Sequence, residues 1–477
     1  MRENVYSEYK NLFINIRNEF FNEVKNFEKV QIEILKNIIS ENKHTVFGKL
    51  YNFEKIKSVR DFQKNVPVSK YEEYEDYIKK IMQGEKNILT KEEVILLEPT
   101  GGSSGVFKLI PYTKSLKKAF NKALKPWLSD LFLNFPGITD NPMYWSISPK
   151  TKIPGTNSVI KTGFENDTEY LEEPFSLIMK KQMVYPEFSS GNADDFWSLT
   201  SKCIESTSNL TFVSVWNPSL FEILTRDINK ENLRKSLKVI SCWGDGNSRE
   251  YKKRLQNIFK DTYIQEKGLL STEGVITIPI EKTGKVPAVS SHFFEFQDIE
   301  TGKIKLLSEL EENKNYSVII TTQGGLYRYK TGDIIRVYGK YINCPLITFL
   351  GRENNVSDYF GEKLNEVFIT NILEKLGVQK TADFLLFSPY ENGKNFYYVL
   401  FIETNEKIQD FEDKIENELL KNIHYKYARE LNQLQKFRVK RIKNGIRQYI
   451  ENCVRKGQKA GDVKPCVFSN KKDWQFE

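Results

Sequence analysis

The chain has 477 residues, which allows about three domains, or one large and one small unit, with ample length for a hydrophobic core. Hydrophobic residues make up 39% and charged residues 28%, a balance that is typical of an ordinary folded protein and excludes a disordered chain. The net charge of +8 is small for this length, and the charges are interspersed, so charge alone does not indicate a nucleic-acid partner.

Signals for export, membrane insertion and metal binding are not found in the sequence. There is no apolar signal segment at the N-terminus and no run of about eighteen or more apolar residues, so we expect no membrane span and a cytoplasmic location. The 5 cysteines are far apart and odd in number, which favours neither a disulfide framework nor a zinc site. The 3 histidines form no metal-binding motif, and we expect packing or surface roles for them.

The N-terminal segment has a helical pattern. Apolar residues recur at three- and four-residue spacing from Leu12 to Ile38, which predicts amphipathic helices that cover a larger layer. The sequence Val66-Pro67-Val68 breaks this pattern. A short helix around Tyr71 to Met82 then leads to a buried strand at Val94 to Leu97.

The next stretch, Glu98 to Thr113, has a composition that core packing does not explain. It reads Glu-Pro-Thr-Gly-Gly-Ser-Ser-Gly-Val-Phe-Lys-Leu-Ile-Pro-Tyr-Thr. Glycine and serine expose backbone N–H groups and hydroxyls without bulky side chains, and such concave loops bind anions. Lys108 adds a positive charge, and the apolar residues around Pro111 indicate that the chain returns as a strand. We therefore predict a strand–loop–strand motif that binds phosphate.

Besides phosphate binding by this motif, two other interpretations of the loop stay open: a serine hydrolase elbow, which is disfavoured, and a simple turn. No Walker P-loop string occurs. The spacing Gly101-x-Ser103-x-Gly105 matches the nucleophile elbow of serine hydrolases, in which Ser103 would act with His292 or His424. That elbow requires a following helix, which Pro111 disfavours. A simple Gly/Ser turn without chemistry is the second interpretation.

Beyond the loop, helical and strand patterns alternate, which predicts an α/β fold. The predicted elements are a helix at 114–132, a strand at 143–147, a helix at 198–203 and strands at 210–215 and 237–242. The last strand is followed by a turn that contains Gly244 and Asp245. Ligands commonly bind at the carboxyl edge of such sheets, although the turn could equally have no chemical role.

Two later loops carry carboxylates that suit nucleotide chemistry. In Ser271-Thr272-Glu273, the glutamate could hold a magnesium ion, which prefers hard oxygen ligands, or it could simply be solvated. Asp333 ends the run Gly-Gly-Leu-Tyr-Arg-Tyr-Lys-Thr-Gly-Asp and could accept hydrogen bonds from ribose hydroxyls. Its alternative role is that of a turn residue, with Arg328 as its partner.

A polar stretch at 351–363 suggests a domain boundary, which we place between 352 and 353. Beyond it, strands at 384–387 and 397–402 flank Asn392-Gly393, a hairpin signal. A long helix follows, whose predicted buried face is Ile408, Phe411, Ile415, Leu419 and Ile423. The basic run 436–443 is more typical of a solvated face than of an RNA site, and a nucleotide- or RNA-binding module without catalysis is a further alternative.

Taken in order, four segments resemble the nucleotide motifs of adenylate-forming enzymes. They are the loop from Thr100 to Lys108, Ser271-Thr272-Glu273, the run that ends at Asp333, and Gly351-Arg352. The resemblance is closer to the auxin-responsive acyl acid amido synthetase branch, the Gretchen Hagen family, including its bacterial members. It is carried by Ser-Ser-Gly-Val-Phe-Lys-Leu-Ile-Pro-Tyr-Thr, by segments 215–219, 267–274 and 324–329, and by Ser-Asp-Tyr-Phe-Gly-Glu-Lys at 357–363, and it covers nearly the whole chain.

The resemblance implies an α/β protein with a large multi-sheet N-terminal adenylating domain, 1–352, and a small mobile α/β C-terminal domain, 353–477. It implies ATP and Mg²⁺ as cofactors, with a small-molecule carboxylic acid and an amine or amino acid as partners, and neither nucleic acid nor a membrane. The reaction would form an acyl adenylate and then an amide. An acceptor thiol, on coenzyme A or a carrier protein, remains an alternative.

The resemblance also assigns roles to individual residues. Cofactor contacts are expected from Thr100, Gly102, Ser103, Ser104, Gly105, Lys108, Ser271, Thr272, Asp333 and Arg352. Gly244 and Asp245 are further candidates for cofactor contacts because of their place in the turn at the sheet edge, not because of the resemblance. Glu273 would bind magnesium, and Thr272, Glu273 and Lys464 would be catalytic. Candidates for the wall of the acid pocket are Tyr112, Tyr144, Trp145 and Trp216, each of which could instead be a core residue.

Two positions depart from the family pattern. Gly101 stands where the family usually has serine, which removes one hydroxyl contact from the loop. The ending Lys464-Pro465-Cys466 only approximates the family's Lys-x-Pro-Arg, so Lys456 and Lys459 remain alternatives for the lysine of the mobile domain.

Overall fold

A computed structural model describes residues 4–101, 107–146, 158–164, 170–186, 193–245, 248–353, 355–393, 395–406, 409–456, 458, 463–464 and 466–477. The chain divides into two compact units. The first unit comprises Met1–Ser214, Asn229–Ser241 and Asp261–Phe349, and the second unit comprises Val215–Ile228, Cys242–Lys260 and Leu350–Glu477. Because this division assigns two earlier segments to the second unit, the boundary between 352 and 353 stays a prediction.

The helices and strands alternate through much of the chain, which confirms the predicted α/β class. The helices are α1 Val5–Lys25, α2 Phe27–Asn42, α3 Val46–Leu50, α4 Val59–Asn65, α5 Glu75–Met82, α6 Lys114–Asn134, α7 Phe175–Gln182, α8 Ala193–Ser206, α9 Pro218–Leu224, α10 Glu231–Ser236, α11 Ser248–Ile258, α12 Glu366–Lys375, α13 Val378–Thr381, α14 Gln409–Leu419, α15 Ile423–Glu430 and α16 Gly445–Arg455. Among the described residues, no helix is both long and apolar enough to cross a membrane.

The strands are β1 Leu96–Gly101, β2 Phe107–Tyr112, β3 Met143–Trp145, β4 Met183–Val184, β5 Phe212–Ser214, β6 Val239–Cys242, β7 Tyr263–Glu266, β8 Thr277–Ile280, β9 Gly284–Pro287, β10 Phe293–Asp298, β11 Ile304–Leu306, β12 Asn315–Thr321, β13 Tyr329–Tyr341, β14 Cys344–Arg352, β15 Val356–Ser357, β16 Leu364–Asn365, β17 Ala382–Asn392, β18 Asn395–Thr404 and β19 Arg438–Arg441.

The first unit contains a five-stranded sheet with the strand order β4-β3-β5-β6-β7. Strand β3 pairs in parallel with β4 and β5, and β5 pairs in parallel with β6. Helices α1 and α6 share a core with this sheet, in which the rings of Phe13, Phe132 and Phe175 contact one another. The amphipathic N-terminal helices predicted from spacing therefore do cover a sheet.

A second sheet has the order β11-β10-β12-β13-β14. Strand β10 pairs antiparallel with β11 and with β12, and β12 pairs antiparallel with β13. Gln31 of α2 connects the helix to this sheet. Its amide nitrogen donates to the carbonyl oxygens of Val289 and His292 at 2.7 Å each, and its amide oxygen accepts from the Phe294 N–H at 2.8 Å. A buried amide that forms three bonds fixes the start of β10 on the helix.

The strand–loop–strand motif is confirmed for its two strands. Strands β1 and β2 pair antiparallel, in a register that runs from Leu96 opposite Tyr112 to Gly101 opposite Phe107. The first strand begins at Leu96 rather than at the predicted Val94. The loop residues Gly102, Ser103, Ser104 and Gly105 lie outside the described residues.

The second unit contains a three-stranded sheet, β17-β18-β19, in which β17 and β18 form the predicted hairpin. Asn392 pairs with Asn395, and Gly393 has a φ of 63°, the left-handed conformation that the Asn-Gly signal predicts. The prediction of a single long helix after β18 was wrong, because the structure has two helices there, α14 and α15. Asn422 caps a new helix by accepting from the N–H groups of His424 and Tyr425, so Ile423 is 74% exposed instead of buried.

A buried ion pair joins β10 to the residue before β13, and its arginine also binds the end of α4. The Arg328 guanidinium donates to both carboxylate oxygens of Glu295, at 2.9 Å and 3.0 Å, and also to the carbonyl oxygens of Gln63 and Val66. Arg328 has a φ of 50°, which is costly for a residue with a side chain, and these bonds hold it in that conformation. The pairing suggested from sequence, Arg328 with Asp333, is replaced by this one.

We expect Glu295→Ala to destabilise the first unit by about 3–5 kcal/mol, because it leaves a buried guanidinium without its counter-charge. The measurement is the free energy of unfolding in urea. The matched control is Glu231→Ala, which removes the exposed ion pair with Lys235 and should leave the unfolding free energy almost unchanged. A loss for Glu295→Ala no larger than that of the control would contradict this account.

Candidate functional site

Lys108 lies on β2 directly opposite Thr100 of β1, next to the predicted phosphate loop. Its Nζ lies 3.5 Å from the Tyr329 hydroxyl and 5.4 Å from the centroid of the Tyr71 ring. The Tyr71 hydroxyl accepts a hydrogen bond from the Leu109 N–H at 2.7 Å. Two tyrosines from distant segments thus contact the Lys108 ammonium, and a cation is the kind of group that binds phosphate.

Tyr112 ends β2 and connects the loop to the second predicted motif. Its hydroxyl donates to the carbonyl oxygen of Thr272 at 2.6 Å, and its ring is fully buried against Phe164. Burial raises the pKa of the Tyr112 hydroxyl well above its ordinary value, and the negative charges of Glu98 and Glu273 raise it further. Tyr112 is therefore a neutral donor that positions Thr272. Its contact with an acid substrate stays a prediction.

The second motif forms a tight turn. The Ser271 N–H donates to the Gly274 carbonyl oxygen at 3.0 Å, and the Gly274 N–H donates back at 3.3 Å. Only glycine fits at 274, because a Cβ there would lie 2.9 Å from the ring of His292. The turn leaves Glu273 only 8% exposed. Burial raises the pKa of the Tyr71 hydroxyl, and the charge of Glu273 raises it slightly further.

The predicted magnesium ligand, Glu273, would need other groups to complete the coordination of the ion. The described residues contain no group of three or more His, Cys, Asp or Glu side chains placed to hold a metal. Magnesium commonly binds through one or two carboxylates and completes its shell with water and substrate phosphates. Glu273 is a single buried carboxylate, and its binding of magnesium stays a prediction.

His292 is a buried histidine that faces the same turn. Its Nδ1 lies 3.1 Å from Oε1 of Gln323, whose amide nitrogen donates to the Ser291 carbonyl oxygen at 2.8 Å. Nε2 is buried without a hydrogen-bond partner in the described part of the chain. Burial lowers the pKa of His292 to about 4. A neutral imidazole whose Nδ1 contacts an amide lacks the carboxylate that orients the base of a typical catalytic triad.

Asp333 lies at an irregularity in the antiparallel sheet. The register between β12 and β13 shifts between Ser317 and Ile319, and Gly332 has a φ of 80°. The Asp333 N–H donates to the Thr331 hydroxyl at 3.1 Å, and the side chain is buried. Bulges of this kind occur next to active sites because they redirect a side chain. The binding of ribose by Asp333 stays a prediction.

Trp145, a candidate for the acid pocket, ends β3 at the carboxyl edge of the parallel sheet. The buried Lys267 Nζ lies 5.4 Å from the Trp145 ring and 5.2 Å from the Trp127 ring, and it donates to the Ser214 hydroxyl at 2.6 Å. Tyr144 is 1% exposed and belongs to the core. The sheet edge thus has an aromatic and cationic character, as ligand sites at such edges often have.

The second unit holds the remaining predicted residues. Gly244 and Asp245 are buried in the turn after β6, and Arg352 is half-buried at the end of β14. The Lys464 Nζ lies 4.6 Å from the Trp243 ring centroid and 5.4 Å from that of Trp216. Trp216 is therefore a neighbour of the predicted lysine, and its role in the acid pocket stays a prediction.

Sequence reasoning missed two residues of these clusters. Tyr71 contacts Lys108 but lies in a segment that matches no motif, so no local signal identifies it. Trp243 directly precedes Gly244, and a large aromatic residue at this position is a sequence signal for a ring face beside a ligand.

Comparison with known families gives three matches along the chain. Residues 16–232 match the GH3 family N-terminal domain, residues 286–352 match the GH3 family central domain, and residues 366–473 match the GH3 family C-terminal domain. The matches follow one another in the order of a whole family member. They include Lys108 in the first range, Asp333 in the second and Lys464 in the third.

Relatives and solved structures agree with these matches. The chain is 22% identical over 468 residues to "Indole-3-acetic acid-amido synthetase GH3.4" of Arabidopsis thaliana, covering 81% of this chain and 78% of the relative. It is 22% identical over 458 residues to "4-substituted benzoates-glutamate ligase GH3.12" of the same organism, covering 80% of each. Its fold is similar to that of "AtGH3.15 acyl acid amido synthetase in complex with 2,4-DB", with a TM-score of 0.78, 17% identity and coverage of 97% and 95%.

We expect the stability of the protein to fall between pH 6.5 and pH 4 because of His292. Its pKa is about 4 in the folded protein and 6.5 when exposed, so the unfolded state gains a proton first as the pH falls. This stabilisation is fully present above pH 6.5 and declines by about 3 kcal/mol by pH 4. Urea denaturation across this pH range measures it.

His292→Gln should show a correspondingly smaller decline over the same range, because glutamine does not titrate. His424→Gln, on the surface of the second unit, is the matched control. Equal pH dependence of the wild-type protein and His292→Gln would contradict the burial of a neutral imidazole at this position.

Proposed function

The chain belongs to the GH3 family, and from this premise we propose that it is an ATP- and magnesium-dependent acyl acid amido synthetase acting in the cytoplasm. A carboxylate attacks the α-phosphate of ATP, an acyl adenylate forms and pyrophosphate leaves. An amine, first of all that of an amino acid, then attacks the acyl carbon, which yields an amide and AMP and releases a proton. The observation that carries this proposal is the contact of the loop strand with the Ser271–Gly274 turn through Tyr112.

The main obstacle to the first step is repulsion between two anions. Two unit charges 4 Å apart repel by about 4 kcal/mol at an effective dielectric constant of 20. Lys108 places a positive charge beside the loop, and the loop's backbone N–H groups would bind the β- and γ-phosphates. Magnesium, when bound, would neutralise phosphate charge, and Glu273 is the residue proposed to hold it. Preorganised charges of this kind lower the barrier without reorganising during the reaction.

The other residues position the nucleotide and the acid. Thr272, whose carbonyl is fixed by Tyr112, is proposed to lie near the α-phosphate and adenine, and Ser271 adds a hydroxyl to the same turn. Asp333 and Arg352 would bind the ribose hydroxyls. Gly244 and Asp245 are further cofactor contacts in this proposal. Closure of the C-terminal domain, with Lys464 as its catalytic lysine, would exclude water from the acyl adenylate.

The family assignment selects the ligase over the serine hydrolase and over the non-catalytic nucleic-acid-binding module. The acceptor is the remaining choice. The fold is also similar, at a TM-score of 0.50 and 10% identity, to that of a 2-hydroxyisobutyryl-CoA ligase, with coverage of 87% of each chain. We propose an amine rather than a thiol because the relatives that match about four-fifths of the chain are named as an amido synthetase and a glutamate ligase.

The proposal predicts that radiolabelled pyrophosphate enters ATP in the presence of a suitable acid, ATP and Mg²⁺. A panel of aromatic, indolic and aliphatic acids identifies the substrate class. Glu273→Gln should lower the exchange rate by about 100-fold, because it removes the charge proposed to hold magnesium. Glu231→Gln on exposed α10 is the matched control.

A folded wild-type protein that catalyses no exchange with any acid of the panel would overturn the proposal. Exchange that is equally fast in Glu273→Gln would overturn the role of Glu273 alone. Product mass spectrometry with amino acids and with coenzyme A then separates the amide from the thioester.

A further inference from the structure

Lys464 is exposed, yet its ammonium group lies over two tryptophan rings. The Nζ atom is 4.6 Å from the centroid of Trp243 and 5.4 Å from that of Trp216. The Trp243 N–H donates to the Trp216 carbonyl oxygen at 2.9 Å, so the backbones of the two tryptophans are tied together. Trp243 is 5% exposed and its ring is thus fixed by packing. All three residues belong to the second unit.

The location of this pair of rings is chemically informative. Trp243 directly follows β6 and directly precedes Gly244 and Asp245, both of which are buried. The Ser248 N–H at the start of α11 donates to the Asp245 carbonyl oxygen at 3.1 Å, which closes the turn. Turns at the carboxyl ends of parallel strands are common ligand sites. The Lys464 ammonium, which contacts Trp243, therefore lies beside the turn that contains Gly244 and Asp245.

The other described candidate for the mobile-domain lysine is engaged elsewhere. The Lys456 Nζ donates to Asp473 at 2.9 Å and lies 4.0 Å from the ring centroid of Trp474. That contact joins the end of α16 to the C-terminal segment. Lys459 lies outside the described residues. Of Lys456 and Lys464, Lys464 is the one whose ammonium group lies beside Trp243 and the turn after β6.

We propose that Trp216 and Trp243 form an aromatic platform that holds the Lys464 ammonium ready for adenylate formation. Lysine has a flexible four-carbon stem and loses much rotational freedom when it holds a phosphate oxygen. The ring faces attract the cation and restrict it before the nucleotide binds. Trp216 and Trp243 are thus positioning residues that act through Lys464. This proposal rests on the proposed function for its chemical meaning.

The first test is a double-mutant cycle on acid-dependent pyrophosphate exchange. Trp243→Leu and Trp216→Leu should each lower kcat by about three- to thirty-fold, with a smaller change in the KM for ATP. Trp243→Phe keeps a ring face and should recover most of the rate. In the Lys464→Ala background, the same tryptophan substitutions should change the rate by less than about twofold, since their effect passes through the lysine.

The matched control is Trp474→Phe, which alters the aromatic neighbour of Lys456 in the same unit. Its exchange rate should equal that of the wild type. Full additivity of Trp243→Leu and Lys464→Ala, or a normal rate in Lys464→Ala, would overturn the platform. Urea denaturation of each variant confirms that the comparison is made on folded protein.

The second test does not depend on activity. Labelling with an amine-reactive ester, followed by mass spectrometry, measures the accessibility of each lysine. Trp243→Leu should raise the labelling rate of Lys464 by about twofold or more while that of Lys456 stays constant. Unchanged labelling of Lys464 would overturn the platform even if exchange is normal. Altered labelling in a protein that catalyses no exchange would retain the platform and reject the proposed function.

Discussion

The hydrogen bond from the Tyr112 hydroxyl to the Thr272 carbonyl oxygen is the contact on which the candidate site depends. It joins strand β2, which follows the proposed phosphate loop in the sequence, to the turn that carries Glu273, and the two bonded residues are 160 positions apart. Burial, together with the charges of Glu98 and Glu273, raises the pKa of this hydroxyl well above its ordinary value, so it is a neutral donor at neutral pH. Lys108 is on the same strand as Tyr112, and its ammonium group contacts the Tyr71 ring and the Tyr329 hydroxyl.

Two residues of the motif that ends at Asp333, Tyr327 and Arg328, have structural roles in the first unit. Arg328 occupies a left-handed conformation because it binds Glu295 and two carbonyl oxygens, and Tyr327 is buried with its hydroxyl donated to the Leu89 carbonyl oxygen. These bonds fix the start of β13, and the irregularity at Gly332 follows a few residues later. The rigid start and the irregular continuation together determine where the Asp333 carboxylate lies, as preorganised sites require.

Local chemistry made much of this predictable. Pro111 and the apolar residues near it predict the return strand, and Asn392-Gly393 predicts the hairpin. Both signals depend only on residues that are close in sequence. The order of the motifs identified the family, which the matched domains confirm. Contacts between distant segments were not predictable: Tyr71 near Lys108, Glu295 with Arg328, and the helix break at Asn422 all depend on tertiary packing that single-sequence periodicity does not encode.

The central claim is that the acid is activated as an acyl adenylate and then converted to an amide. Its most direct test uses an acid substrate whose carboxylate oxygens are both ¹⁸O, incubated with ATP, Mg²⁺ and an amino acid. Attack of the carboxylate on the α-phosphate leaves one labelled oxygen in AMP and the other in the amide, and mass spectrometry of both products should show this distribution. Unlabelled AMP, or label in orthophosphate with ADP as the nucleotide product, would contradict the account.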